Sequence, residues 1–258
     1  MNNVQESVDR TCFTPVASSP SASPTSVLHV GRRVLQLLRY SRDAAFVVNL
    51  VSQATDGAAC VVGGVIRRTL FGRSAETTLA GDLDFLLPDG DVRAFAALDA
   101  LGVPFDLNRS HHRRYRFRGI QAEFFHPSSF YCGFADIAST VAFFDLRINS
   151  FGVELGSGRI VDPSGMLIQS LSRDPGINWR RWSVMPPVEL AVLALRLFRI
   201  AGEIPSLQIS AADCCRLRRD IMPAVESADW TTIEDRHPGG KKTFIPMFEA
   251  LLRKRGVL

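Results

Sequence analysis

The chain has 258 residues, 46% hydrophobic and 22% charged, with a formal net charge of +4. That length fits one large domain or two small ones, and the mildly basic balance suits a polyanionic partner without requiring one. No stretch nears the roughly 18 apolar residues of a membrane span, Glu6, Asp9 and Arg10 break up any signal-type core, and Cys12, Cys60, Cys132, Cys214 and Cys215 show no CxxC spacing, which argues against a disulfide framework or zinc site and for a reduced, cytoplasmic protein.

Residues 1–27 are rich in Ser, Pro and Thr and cannot bury enough apolar surface to offset ordering, so a disordered leader is expected. From Val30 to about Ala54 the apolar residues Val34, Leu37, Leu38, Ala45, Val48 and Val51 recur at helical spacing, predicting one long helix or two shorter ones that cover a sheet.

The stretch Cys60 to Leu87 organises the rest. The apolar run Cys60-Val61-Val62 reads as a strand, Gly63-Gly64 as a turn, Val65 to Phe71 as a short helix, and Asp82-Leu83-Asp84 with Phe85 to Leu87 as a second strand. On a strand Asp82 and Asp84 share a face about 6 to 7 Å apart. Two carboxylates on one face repel, and a site that keeps them is suited to divalent cations, Mg²⁺ in particular where a triphosphate supplies further oxygens. Gly63 and Gly64 admit either a tight turn or a close backbone approach to a phosphate.

Asp91 to Leu101 reads as an amphipathic helix ended by Gly102. HHRRYRFRGIQAEFFHP then predicts a hairpin with Gly119 near its turn, placing His112, Arg114, Arg116 and Arg118 on one face as either a solvated strip or a phosphate-binding one. Glu123 sits between Ala122 and Phe124. It is a third acid, an orienting partner for an arginine, or an edge-strand glutamate. A helix from Asp136, the segment Asp145 to Asn149, and a hairpin turning at Gly156-Ser157-Gly158 follow. Arg67, one turn into the first motif's helix, reaches a phosphate or an internal carboxylate such as Asp145.

In this order the motifs resemble the head domain of the tRNA CCA-adding enzyme and poly(A) polymerase family, within the polymerase-β-like nucleotidyltransferases. Gly63 to Arg73 is similar to the family's GGxVRDxLLGR, Asp82 and Asp84 to its metal-binding DxD, and Ile120 to Phe125 to its IEVTT strand, with Glu123 approximately at the acid. Phe143 to Ser150 resembles RRDFTINALA, Asp162 to Leu171 resembles DPFGGxxDL, and Pro187 to Ala201 resembles the opening of the neck helix. The resemblance implies an α+β fold: a nucleotidyltransferase head of mixed sheet and flanking helices over 28–175, then a small helical neck-like region over 176–258. It also implies two Mg²⁺ ions on Asp82 and Asp84, Glu123 as a further catalytic acid, and Gly63, Gly64, Arg67, Arg73, Asp145 and Asn149 around a nucleoside triphosphate.

Departures qualify the activity. Arg68 replaces the family's Asp, Phe143 and Phe144 replace both arginines of RRD, and no EDxxR motif is present, since Glu234-Asp235-Arg236 has the wrong spacing. The expected function is therefore Mg²⁺-dependent transfer of NMP from an NTP to an RNA or other hydroxyl acceptor, not authentic CCA addition. The alternatives are a degenerate nucleotidyltransferase-fold binding or regulatory protein, and a small-molecule or toxin-type nucleotidyltransferase.

Towards the C-terminus, Val188 to Ile200 reads as a buried helix whose Arg196 and Arg199 line the cleft or form ion pairs. Ala211 to Val225 reads as a helix with Arg216, Arg218 and Arg219 on a basic face and Cys214-Cys215 in the core, and Phe244 to Lys254 as a third helix. Gly239 to Lys242 is a flexible basic turn or a phosphate contact. His111, His112 and His237 have no partner at ligand spacing.

Overall fold

A computed structural model describes residues 24–70, 82–108, 111–130, 133–165, 167, 176–204, 207–234, 242, 246, 248–250 and 253. Residues 1–23 of the leader, Arg73, His237 and Gly239 to Lys241 lie outside them, and the third C-terminal helix is described only in part. Helix α1 spans Pro24–Tyr40, beginning inside the segment read as leader, and α2 spans Arg42–Ala54. The break is Ser41, whose side-chain oxygen accepts from the Ala44 N–H and caps α2.

Among the described residues a seven-stranded sheet follows the order β3-β4-β5-β2-β1-β6-β7. Its strands are β1 (Cys60–Val62), β2 (Leu83–Leu86), β3 (Phe105–Leu107), β4 (Arg113–Phe117), β5 (Ile120–Phe125), β6 (Gly152–Glu154) and β7 (Ile160–Val161). The sheet is mixed: β2 and β5 run parallel, while every other neighbouring pair is antiparallel. Edge strand β3 is the one strand not expected, because a three-residue run after Pro104 carries too little pattern to register. The predicted β4–β5 hairpin turns through Arg118 and Gly119, both at positive φ, as a two-residue turn requires.

Side-chain alternation gives the sheet two unlike faces. Val61, Phe85, Phe124, Ala122 and Val153 point to one face and form a single core with Val34 and Leu38 of α1, Val47, Val48 and Val51 of α2, and Ala94 and Leu98 of α4 (Arg93–Ala100). The opposite face carries Cys60, Val62 and Leu86 packed with Val141 of α5 (Ile137–Ala142), and beside them the acids. Helix α5 starts at a capping box in which Asp136 accepts from the Ser139 N–H at 2.7 Å.

The C-terminal helices α6 (Trp179–Trp182), α7 (Pro187–Glu203), α8 (Ala211–Arg216), α9 (Met222–Glu226) and α10 (Trp230–Glu234) surround a second core. Leu146 and Ile148, from the segment after α5, belong to this core rather than to the sheet's. The single helix expected over Ala211 to Val225 is broken by a π-helical turn, Leu217–Ile221. Pro223 is the cause: it has no N–H for the ladder and its ring crowds the preceding turn. Cys214 is fully buried but Cys215 is exposed, so only one of the pair is a core residue. No helix among the described residues is long and apolar enough to cross a membrane.

Candidate active site

Strand register assembles the acids. Asp84 lies at the centre of β2, opposite Glu123 on parallel β5 and opposite Val62 on β1. Asp84 and Glu123 therefore leave the sheet side by side from the face away from the main core, although 39 positions separate them in sequence. Asp82 is exposed, one residue before β2 begins.

Their electrostatics follow from this crowding. Burial first, then the facing Glu123 and, less strongly, Asp82 push the Asp84 carboxyl up to about 7, with Arg196 and Arg67 opposing the rise. Glu123 is also raised, first by burial, against a hydrogen bond from Asn108 Nδ2 to its Oε2 at 3.1 Å. Among the described residues no three His, Cys, Asp or Glu side chains form a set that would hold a metal unaided. Neighbouring carboxylates with raised affinity for protons nonetheless favour a cation. A hard ion bound through one or two of them, with its remaining sites filled by phosphate oxygens and water, fits this donor set.

The turn before α3 (Gly64–Leu70) explains its first glycine. Gly63 has a φ of +73°, and a Cβ there would stand 2.7 Å from Asp84 Oδ2. The missing side chain thus makes room for the chain's own carboxylate, whereas the sequence pointed only to a tight turn or a phosphate. A Cβ on Gly64 would meet Arg68 Nη1 at 2.8 Å, which ties the family's missing Asp position to the same turn.

Behind the acids runs a buried polar chain. Arg67 Nη1 donates to Asn149 Oδ1 at 2.8 Å, and Asn149 Nδ2 donates to Asp145 Oδ1 at 3.1 Å. Asp145 Oδ1 also accepts from the Leu146 N–H at 2.9 Å, and its Oδ2 pairs with Arg196 Nη1 at 3.0 Å. Arg67 is therefore linked to Asp145 through Asn149. Arg196 meets both of its sequence alternatives, since it forms an ion pair and lines the cleft. The segment carrying Asp145 is gripped from the C-terminal region: Asn178 Nδ2 donates to the carbonyls of Ala142 and Phe144 at 2.9 and 2.8 Å, and Trp182 Nε1 donates to that of Asp145 at 3.0 Å.

These groups border a cavity of about 280 Å³. Its lining includes Gly63, Asp84, Glu123, Asp145, Asn149 and Arg196 together with Phe125, Phe130, Phe144 and Arg181. Arg181, on the four-residue α6, and the Phe125 and Phe130 rings were not singled out by the sequence. Only Phe143 and Phe144 carried a signal, as departures from RRD. The arginine strip of β4 is largely neutralised: Arg114 Nε and Arg116 Nη2 both bind Asp106, at 2.6 and 3.2 Å. That favours the solvated reading of the strip.

By sequence, no protein-family profile matches the chain and no curated protein does. By fold, it is similar to a solved tRNA-processing enzyme in apo form (TM-score 0.55, 18% identity, covering 92% of this chain and 58% of that one). It is likewise similar to a CCA-adding enzyme solved with ATP (TM-score 0.54, 18% identity, 86% and 50%). A tRNA nucleotidyltransferase solved with a primer tRNA and an incoming ATP analog also matches (TM-score 0.52, 19% identity, 81% and 61%). The chain shares its fold, a mixed sheet with flanking helices, with these structures, and it spans 50% to 61% of their length.

Proposed function

We propose that the chain is a Mg²⁺-dependent nucleotidyltransferase that moves an NMP unit from an NTP onto a hydroxyl, with RNA as the favoured acceptor and authentic CCA addition not among its activities. The observation that carries this reading is the pairing of Asp84 with Glu123 on adjacent parallel strands, at the mouth of a cavity in this fold. The reaction forms a bond from the acceptor oxygen to the α-phosphorus and breaks the bond from that phosphorus to the pyrophosphate oxygen. The hydroxyl proton leaves to the carboxylates or to water.

Mg²⁺ held by Asp82 and Asp84 would lower the pKa of the attacking hydroxyl and neutralise the triphosphate. The protein's own residues supply the rest. Glu123, beside Asp84, adds a further oxygen donor on the same face. Gly63 lets the Asp84 carboxylate lie against the β1–α3 turn. Arg196 and Arg181 present positive charge to the cavity from the C-terminal helices, and the Arg67–Asn149–Asp145 chain holds one of them in position. The free thiols of Cys60, Cys214 and Cys215 suit a reducing compartment, consistent with a cytoplasmic site of action.

The test is transfer of label from each of four α-labelled NTPs onto total RNA and onto the protein, with and without Mg²⁺. Label that requires Mg²⁺ and is reduced at least about a thousandfold in Asp82→Ala/Asp84→Ala is the expected outcome. A second reading, a binding protein on this fold that no longer transfers, is favoured by Phe143 and Phe144 where the family signature has arginines. Mg²⁺·NTP binding without label on any acceptor would select it.

A further inference from the structure

The cavity joins two chemistries that the NMP-transfer reading leaves unequal. Its acidic end suits a metal and phosphates. Its other wall is aromatic: Phe125 stands two residues after Glu123 on the same face of β5, one step of about 7 Å along the strand, and Phe144 immediately precedes Asp145. Phe130 bridges them, with ring centroids 6.0 Å from Phe125 and 6.1 Å from Phe144. Arg181, stacked at 5.4 Å over Phe143, extends the wall.

Two polar groups of the lining that could read the edge of a base, Asn149 and Asp145, are engaged with their neighbours. Asn149 accepts from Arg67 on its carbonyl oxygen and donates one amide N–H to Asp145. Asp145 spends one oxygen on Asn149 and the Leu146 N–H and the other on Arg196. At about 280 Å³ the cavity is near the lower end of small-molecule sites, which is room for a base and its sugar while the phosphates extend along the acids.

We infer that the Phe125–Phe130–Phe144 wall holds the base of the incoming nucleoside triphosphate by stacking, without reading its edge, so that all four NTPs are accepted and purines are held more tightly through their larger ring face. This rests on the nucleotidyltransferase reading above. Stacking is sequence-tolerant because every base has a π-face, and truncating a stacking ring weakens binding by about 5- to 150-fold. Phe144, which looks like a loss beside RRD, is then a means by which base selectivity is relaxed.

The test is calorimetric binding of Mg²⁺·ATP, GTP, CTP and UTP, and of Mg²⁺·tripolyphosphate as the base-free probe, to the full chain and to its Phe144→Leu, Phe144→Trp and Phe130→Leu variants. Expected are affinities for the four NTPs within about tenfold with purines ahead, and tripolyphosphate at least about tenfold weaker than ATP. Phe144→Leu should weaken every NTP about tenfold yet leave tripolyphosphate unchanged, and Phe144→Trp should restore NTP binding. A variant that merely loosened the fold would weaken both ligand types together and would not be rescued by tryptophan. A preference for one base above about a hundredfold, or tripolyphosphate as tight as ATP, overturns the inference while leaving nucleotidyl transfer standing. No binding of any triphosphate, tripolyphosphate included, overturns both.

Discussion

Asp84 is where charge, burial and chemistry meet. Its carboxyl stands at about 7 because the fold strips water from it, with Glu123 facing it, so the folded chain holds that proton more tightly than the unfolded chain does. The sign follows: Asp84 adds stability in full below the ordinary aspartate range near pH 4, and that contribution is lost as pH rises through about 7. A rise of this size, taken whole, corresponds to about 4 kcal/mol, but the carboxylate opens onto a cavity that admits water, and about 2 kcal/mol is expected. Denaturant unfolding of the metal-free protein between pH 4 and 8 should show this decline, and Asp84→Asn, which cannot titrate, should lack it. Mg²⁺ should restore the lost stability above pH 7, and NMP transfer should rise through the same window because the proton and the metal compete for one carboxylate.

At the scale of elements, two glycines at positive φ make different demands. Gly119 closes the β4–β5 hairpin, and a Cβ there meets nothing within 4 Å; Gly63 joins β1 to α3, and a Cβ there meets Asp84. Gly119→Ala should therefore cost only backbone strain, about 1 to 2 kcal/mol, and leave Mg²⁺·NTP affinity unchanged. Gly63→Ala should cost as much in stability and in addition weaken Mg²⁺·NTP binding at least about tenfold, since the displaced carboxylate is the proposed metal donor. Paired unfolding curves and calorimetric titrations separate the two outcomes; equal losses of affinity in both variants would argue that the turn acts through the fold alone. A similar contrast explains the helix expected over Ala211 to Val225. Its periodicity is continuous, but Pro223 interrupts the hydrogen-bond ladder and leaves a π turn, Leu217–Ile221, at the break.

At the scale of the molecule, the head and the C-terminal helices are bound through the site itself. Leu146 and Ile148 bury in the helical core, Arg196 pairs with Asp145, and Asn178 and Trp182 hold three carbonyls of the segment carrying Phe144 and Asp145. The two regions are expected to unfold in a single calorimetric transition. Trp182→Phe removes one of two donors to the buried Asp145 carbonyl, which keeps the Asn178 N–H, and should lower stability by about 0.5 to 1.5 kcal/mol. Two separated transitions, or an unchanged midpoint in that variant, would show the regions to be independent.

The sequence by itself determined the local elements and the identity of the acids. Short apolar runs marked β1 and β2, alternation and a glycine turn marked the β4–β5 hairpin, the glycine pair marked the turn before α3, and charge embedded in an apolar strand marked Glu123. Those signals are legible because they lie in a few consecutive residues. What only the tertiary structure decided is who stands beside whom. Parallel register brings Glu123 to Asp84, the folded turn gives Gly63 its reason, and Arg181, Phe125 and Phe130 become cavity walls. None of this is written in local spacing. Hydrogen bonds between distant strands and burial against a second core set these neighbours, and both come into being only when the whole chain closes.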